Sequence, residues 1–168
     1  MTMVEIVELL KNILEVLDKL YHATIGEENG EEITMTRYIE EVETVTITSR
    51  MQRMISRHFR AREFQTGNCN IVIVSNVLLK ILDTLRDKIG EPIYINSGYR
   101  TPEHNKAVGG STLSYHMYGM AADIRADRHT PKQLYTILDE MLEGCGGLEE
   151  HKTFLHVDVR TKAWRSKL

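Results

Sequence analysis

The run Ser114-Tyr115-His116-Met117-Tyr118-Gly119-Met120-Ala121-Ala122-Asp123 sets an imidazole and a carboxylate seven residues apart among small side chains. Small side chains let a backbone fold tightly around a metal ion. A catalytic zinc typically takes three protein ligands from His, Asp and Glu and keeps a fourth position for water, whose pKa drops to about 7. One more ligand is needed, and His156 is the natural third, with Asp158 two residues on and able to orient the ligating ring from behind. The expected cofactor is one Zn2+ per chain, although two His and one Asp would accept other divalent ions in vitro. Of the seven histidines, His22, His58, His104 and His129 have no acid or histidine at a metal-like spacing and read as ordinary polar or core residues.

With its neighbours, this set resembles a known family. Ser114-x-His116-x-x-Gly119-x-Ala121-x-Asp123 followed by His156-Val157-Asp158 is similar to the motif pair of the zinc D-Ala-D-Ala carboxypeptidases, a family that includes phage endolysins and dipeptidases. The resemblance runs through Ile95-Asn96-Ser97-Gly98-Tyr99-Arg100-Thr101-Pro102, on to Gly110, and through Gly146-Gly147-Leu148, covering roughly residues 58–165; residues 1–53 match nothing nameable. It implies an α+β fold of the hedgehog type, a small mainly antiparallel sheet flanked by helices. It also implies that His116, Asp123 and His156 are the zinc ligands and that Arg100 holds a substrate carboxylate. A planar guanidinium suits that task, and an internal salt bridge bracing the loop is the plain alternative. Ser114 and Tyr99, from the same motifs, join Arg100 as substrate-contact candidates.

Hydrolysis also needs a group that moves protons. One branch of the family carries a glutamate three residues before the last ligand, where this chain has Thr153. Other members resemble this chain in placing a histidine five residues before it, here His151, and imidazole titrates near neutral pH. Glu149 and Glu150 compete for the role, because a turn before the strand could aim any of the three at the metal. The implied activity is hydrolysis of peptide bonds involving D-amino acids in peptidoglycan stem peptides. Removal of terminal D-Ala, cleavage between L-Ala and D-Glu, and hydrolysis of a D,D-dipeptide all stay open. The alternative from another class is a wall-binding or virion structural module that docks wall peptides without cutting them.

Elements must position these groups. Val74, Val77, Leu78, Ile81, Leu82, Leu85 and Ile89 form a helical stripe ending at Gly90, where a C-terminal cap is expected. Residues 92–97 read as a strand entering the Gly98–Pro102 loop. Residues 131–142 read as a helix opened by a Thr130 N-cap and Pro131. Residues 154–160 alternate as a strand whose His156, Asp158 and Arg160 share one face. Helices and strands without a regular βαβ repeat favour α+β.

Upstream, Met3, Ile6, Leu10, Ile13, Leu17 and Leu20 recur at three- and four-residue steps, predicting a helix over 3–20 that either docks on its own domain or self-associates. A turn-prone stretch at 26–30 follows, then a β-branched alternation over 42–48 that predicts a strand or extended connector. Residues 1–50 hold four Lys/Arg against eleven Asp/Glu. An acidic extension over 1–53 and a peptidase domain over 54–168 are therefore expected.

A length of 168 residues, 42% apolar and 27% charged, suits one domain plus an appendage. The net charge of −3, without an Arg/Lys stripe among aromatics, argues against nucleic acid. Cys69 and Cys145 lack paired spacing. Early glutamates argue against a signal peptide, and no apolar run is long enough to span a membrane. The expected setting is a phage or prophage lysin, made in the cytoplasm and reaching the wall through holin pores or within the virion. A cytoplasmic D-Ala-D-Ala dipeptidase is the rival.

Overall fold

A computed structural model of the chain describes residues 42–46, 52–67 and 71–167. The expected helix over 3–20, the turn at 26–30 and Cys69 lie outside the described residues. Strand β1 (Val42–Thr46) falls in the alternating stretch and pairs with β2 (Ile71–Ser75) in a two-stranded sheet.

The residues Ile71-Val72-Ile73-Val74 are all β-branched, and this decides their conformation. Val74, expected within the helical stripe, belongs instead to β2 and is buried. Helix α1 (Asn76–Ile89) begins one residue after Ser75, whose Oγ accepts from the Val77 and Leu78 amides at 3.2 and 3.5 Å. It ends at Gly90 in the left-handed conformation (φ 66°), as the sequence predicts.

Strand β3 (Tyr94–Ser97) leads into helix α2 (Pro102–Ala107), capped by Thr101 Oγ1. A 3₁₀ turn (Tyr115–Tyr118) and Gly119 precede β4 (Ala121–Arg125). Helix α3 (Pro131–Leu142) has the expected Thr130 cap, completed by Gln133, whose side-chain oxygen accepts from the Thr130 amide at 2.8 Å. Strands β5 (Gly147–Glu150), β6 (Leu155–Asp158) and β7 (Trp164–Lys167) close the chain. The acidic stretch at 149–150, expected as a turn, is therefore a strand. The turn lies beyond it and is closed by the His151 amide donating to the Phe154 carbonyl at 3.0 Å.

These strands form a five-stranded sheet in the order β3-β4-β6-β5-β7. Three pairings are antiparallel and the fourth, β5 with β7, is parallel, so the α+β fold carries a mixed sheet with an antiparallel majority. On one face Ala122, Ile124, Leu148, Leu155 and Val157 join Leu78, Leu82 and Leu85 of α1 and Leu134 and Leu138 of α3 in one apolar cluster. Each fully buried Leu, Ile or Val side chain there contributes about 1.5–3 kcal/mol.

Register partners share a face. The opposite face therefore presents a transverse row, Ser97, Asp123, His156, Glu149 and Ser166, one residue from each strand. A second row beside it runs Ala121, Asp158, Gly147, Trp164. Sequence distance is erased by this registration, and positions 97, 123, 156, 149 and 166 become successive neighbours along the row.

Gly119 links the turn carrying His116 to the strand carrying Asp123. Its φ is +67°, and a Cβ would lie 2.3 Å from the Ile73 carbonyl oxygen, which is backbone and cannot yield. Gly119→Ala should destabilise the fold by roughly 2 kcal/mol or more, read as a lowered midpoint in urea.

Candidate metal centre

Three side chains converge at the centre of the first row. His116 Nε2 lies 3.3 Å from Asp123 Oδ1 and 3.2 Å from His156 Nδ1, and His156 Nδ1 lies 2.9 Å from Asp123 Oδ1. Zinc bonds of about 2.0–2.1 Å in a tetrahedron place ligand atoms about 3.3 Å apart, so the three atoms already stand near the corners of one tetrahedral face. Among the described residues this is the group of His, Cys, Asp and Glu with the geometry to hold a metal ion.

Each donor is oriented by a further contact. The His116 Nδ1–H donates to the Gly98 carbonyl at 2.8 Å, which turns Nε2 toward the centre. His156 Nε2 lies 3.2 Å from Asp158 Oδ2, leaving Nδ1 to face the group. Asp158 is fully buried and is gripped by Arg160 through Nε to Oδ1 (2.8 Å) and Nη2 to Oδ2 (2.6 Å). Arg100 donates from Nη2 to Asp123 Oδ2 at 2.8 Å and from Nε to Ser97 Oγ at 2.8 Å, so Oδ1 is the oxygen left to the centre.

Burial alone would raise the Asp123 pKa, but hydrogen bonds from His116 and His156 outweigh it and hold the carboxyl far below the usual range. Burial likewise opposes charge on His156, yet its hydrogen bonds to Asp123 and Asp158 push the imidazole up to about 9. Asp158 is drawn down to about 2, its desolvation outweighed by hydrogen bonds from His156 and Arg160. Two carboxylates, Asp123 and Asp158, thus flank the His156 ring and favour its protonated form. A divalent ion held by these three donors, His116, Asp123 and His156, would take the place of that proton.

The group lies on the wall of an open cleft of about 540 Å³. Ser114, Glu149 and His151 line the cleft, as Arg100 does. His151 stacks on Phe154 (centroids 4.2 Å apart, 16° between planes), and its Nε2 is 3.8 Å from Glu149 Oε2. The strand alternation sends Glu150 to the face of Leu148, so Glu150, the third candidate proton carrier, is not brought to the cleft. Tyr99 is packed against the apolar cluster and does not line the cleft. His58 and His129 pair with Asp87 and Glu91, away from the centre.

Sequence reasoning missed Phe154, Ser97 and the Gly98 carbonyl. Ser97 and Gly98 lie inside the quoted motif, but nothing in one sequence tells a hydrogen-bonding role there from a turn. Trp164, which also lines the cleft, carried no signal.

An α+β sheet carrying two imidazoles and a carboxylate at an open cleft is the architecture of a metal-dependent hydrolase. A family model described as Peptidase M15 matches residues 42–158, and the chain belongs to that family of zinc-dependent metallopeptidases. No curated protein matches the chain. Among the described residues no helix is long and apolar enough to cross a membrane.

Zinc and the His156 proton compete, since ligation needs the neutral ring. Calorimetry near pH 7.5 in two buffers of different ionisation enthalpy should show about one proton released per zinc bound. The sign for stability follows. His156 is raised from 6.5 to about 9, so its contribution to the chelator-stripped protein is complete below 6.5 and lost as pH rises through 9. The stripped protein should therefore lose thermal stability over that window. Gly147→Ala supplies a second check, because its Cβ would lie 2.2 Å from Asp158 Oδ2; zinc affinity should fall about 10–100-fold, measured by chelator competition.

Proposed function

We propose that the chain is a zinc peptidase that hydrolyses peptide bonds involving D-amino acids in peptidoglycan stem peptides. The observation that carries this reading is the convergence of His116 Nε2, Asp123 Oδ1 and His156 Nδ1 on the wall of an open cleft, in a chain of the peptidase M15 family. Zinc bound by these three would supply Lewis-acid polarisation of a carbonyl and a water acidified toward neutrality.

The chain's own groups divide the remaining work. Gly98 and Asp158 fix the two imidazoles, so the donors need little reorganisation when they ligate. His151 is the proposed proton carrier, taking a proton at Nε2 from the attacking water and returning it to the leaving amine. Phe154 holds its ring plane, and Glu149 stands close enough to stabilise the protonated form. Glu149 is itself in the row with His156 and is the second candidate. Arg100 orients Asp123, and with its remaining face toward the cleft it is the proposed anchor for a substrate carboxylate, with Ser114 beside it. The cleft volume falls within the range of small-ligand sites, enough for a short peptide.

The proposed setting is a phage or prophage lysin, acting on the wall after holin-dependent release or as part of the virion. Which bond is cut separates this from a dipeptidase of soluble D-Ala-D-Ala.

Purified peptidoglycan digested with the parent should release D-Ala or stem-peptide fragments, identified by mass. His116→Ala should fall to the chelator-treated background, and His151→Ala should lower kcat by about 10²–10⁴-fold with KM near the parent value. A parent that releases nothing above that background contradicts the peptidase reading and favours a module that only docks wall peptides.

A further inference from the structure

The side chain of Arg160 is held by three residues, Asp158, Tyr115 and Trp164. Its Nε and Nη2 grip both oxygens of Asp158, and its backbone amide donates to Asp158 Oδ1 at 3.1 Å. The guanidinium carbon lies 4.6 Å from the Tyr115 ring centroid and 4.7 Å from that of Trp164. Two aromatic rings thus fix the guanidinium while one buried carboxylate takes its fork.

Each contact leads to a different part of the centre. Tyr115 is the residue before His116, in the turn that carries it. Asp158 orients His156 through Oδ2. Trp164 opens β7 and is in register with Gly147 of β5, and Gly147 has no side chain where the Asp158 carboxylate lies. Arg160 and Trp164 both lie beyond residues 42–158, the span of the family match.

We propose that Arg160 is a positioning residue for the metal centre: it joins the turn carrying His116, the strand carrying His156 and the edge strand β7 into one unit, and so sets the affinity for the ion. This rests on the reading of His116, Asp123 and His156 as metal ligands. Lysine keeps the charge but offers neither the two-pronged fit to Asp158 nor a plane that stacks on two rings. Without both, the Asp158 carboxylate and the His116 turn lose their common reference, and the ligand atoms spread.

Zinc affinity, measured on chelator-stripped protein by competition with a chromophoric chelator, tests this. Thermal stability of the same stripped samples is read in parallel, because a purely structural brace would lower stability and leave the affinity of the folded protein unchanged. Arg160→Lys should bind zinc about 10–100-fold more weakly. Trp164→Leu, which leaves the contacts to Asp158 in place, should be weaker by about two- to fivefold, and carries the test if the lysine variant fails to fold. Tyr115→Phe keeps the ring and should match the parent. Parental zinc affinity in folded Arg160→Lys, or in Trp164→Leu where that variant carries the test, overturns the proposal while the metal reading stands. A parent with no zinc affinity overturns both.

Discussion

Asp123 and His156 face each other across an antiparallel pair, and the whole centre depends on that register. A slip of one residue in β4 or β6 would turn the polar face of that strand into the core and bring Ala122 or Val157 to the cleft. The apolar side of the sheet prevents this, since Ala122, Ile124, Leu155 and Val157 are fully buried and would have to surface together. Hydrophobic burial on one face therefore fixes a polar constellation on the other. Even the outer strand β7 obeys the rule: Arg165 reaches Asp139 and Lys167 covers the Tyr135 ring, both on α3, while Trp164 points to the cleft.

The polar face then faces an electrostatic problem, because two buried carboxylates lie side by side. Each is assigned its own arginine, Arg100 to Asp123 and Arg160 to Asp158. Removing one partner of a buried pair leaves an uncompensated charge, which costs about 3–5 kcal/mol. These pairs leave one oxygen of Asp123 and one nitrogen of each imidazole pointed at a common centre. The arrangement has the geometry to hold a cation, and that geometry is mostly set by groups that would not touch the ion.

Helix α3 was readable from Thr130, Pro131 and its amphipathic period, and the end of α1 from Gly90, because caps and helical stripes are local signals. The three convergent donors were legible from the types and spacing of His116, Asp123 and His156, and the motif resemblance joined them as a set. Strand β4 was not, since Ala121-Ala122-Asp123-Ile124-Arg125 is short and weak in β-branched residues, and its neighbours in the sheet make it a strand. The start of α1 was misplaced because Val74 fits a helical stripe and a β-branched run equally well. That Glu149 and His151 line the cleft while Glu150 does not depends on the phase of β5, a one-residue offset that the sequence does not reveal. An internal salt bridge was the alternative the sequence offered for Arg100, and one is present, but its partner Asp123, 23 positions away, could not be read from spacing.

Zinc K-edge absorption on the stoichiometrically loaded protein measures the central claim directly. The account predicts light-atom scatterers at about 2.0–2.1 Å with an outer-shell pattern of two imidazoles, reduced to one in His116→Ala or His156→Ala. A spectrum with sulfur near 2.3 Å, or one unchanged by either substitution, would contradict it.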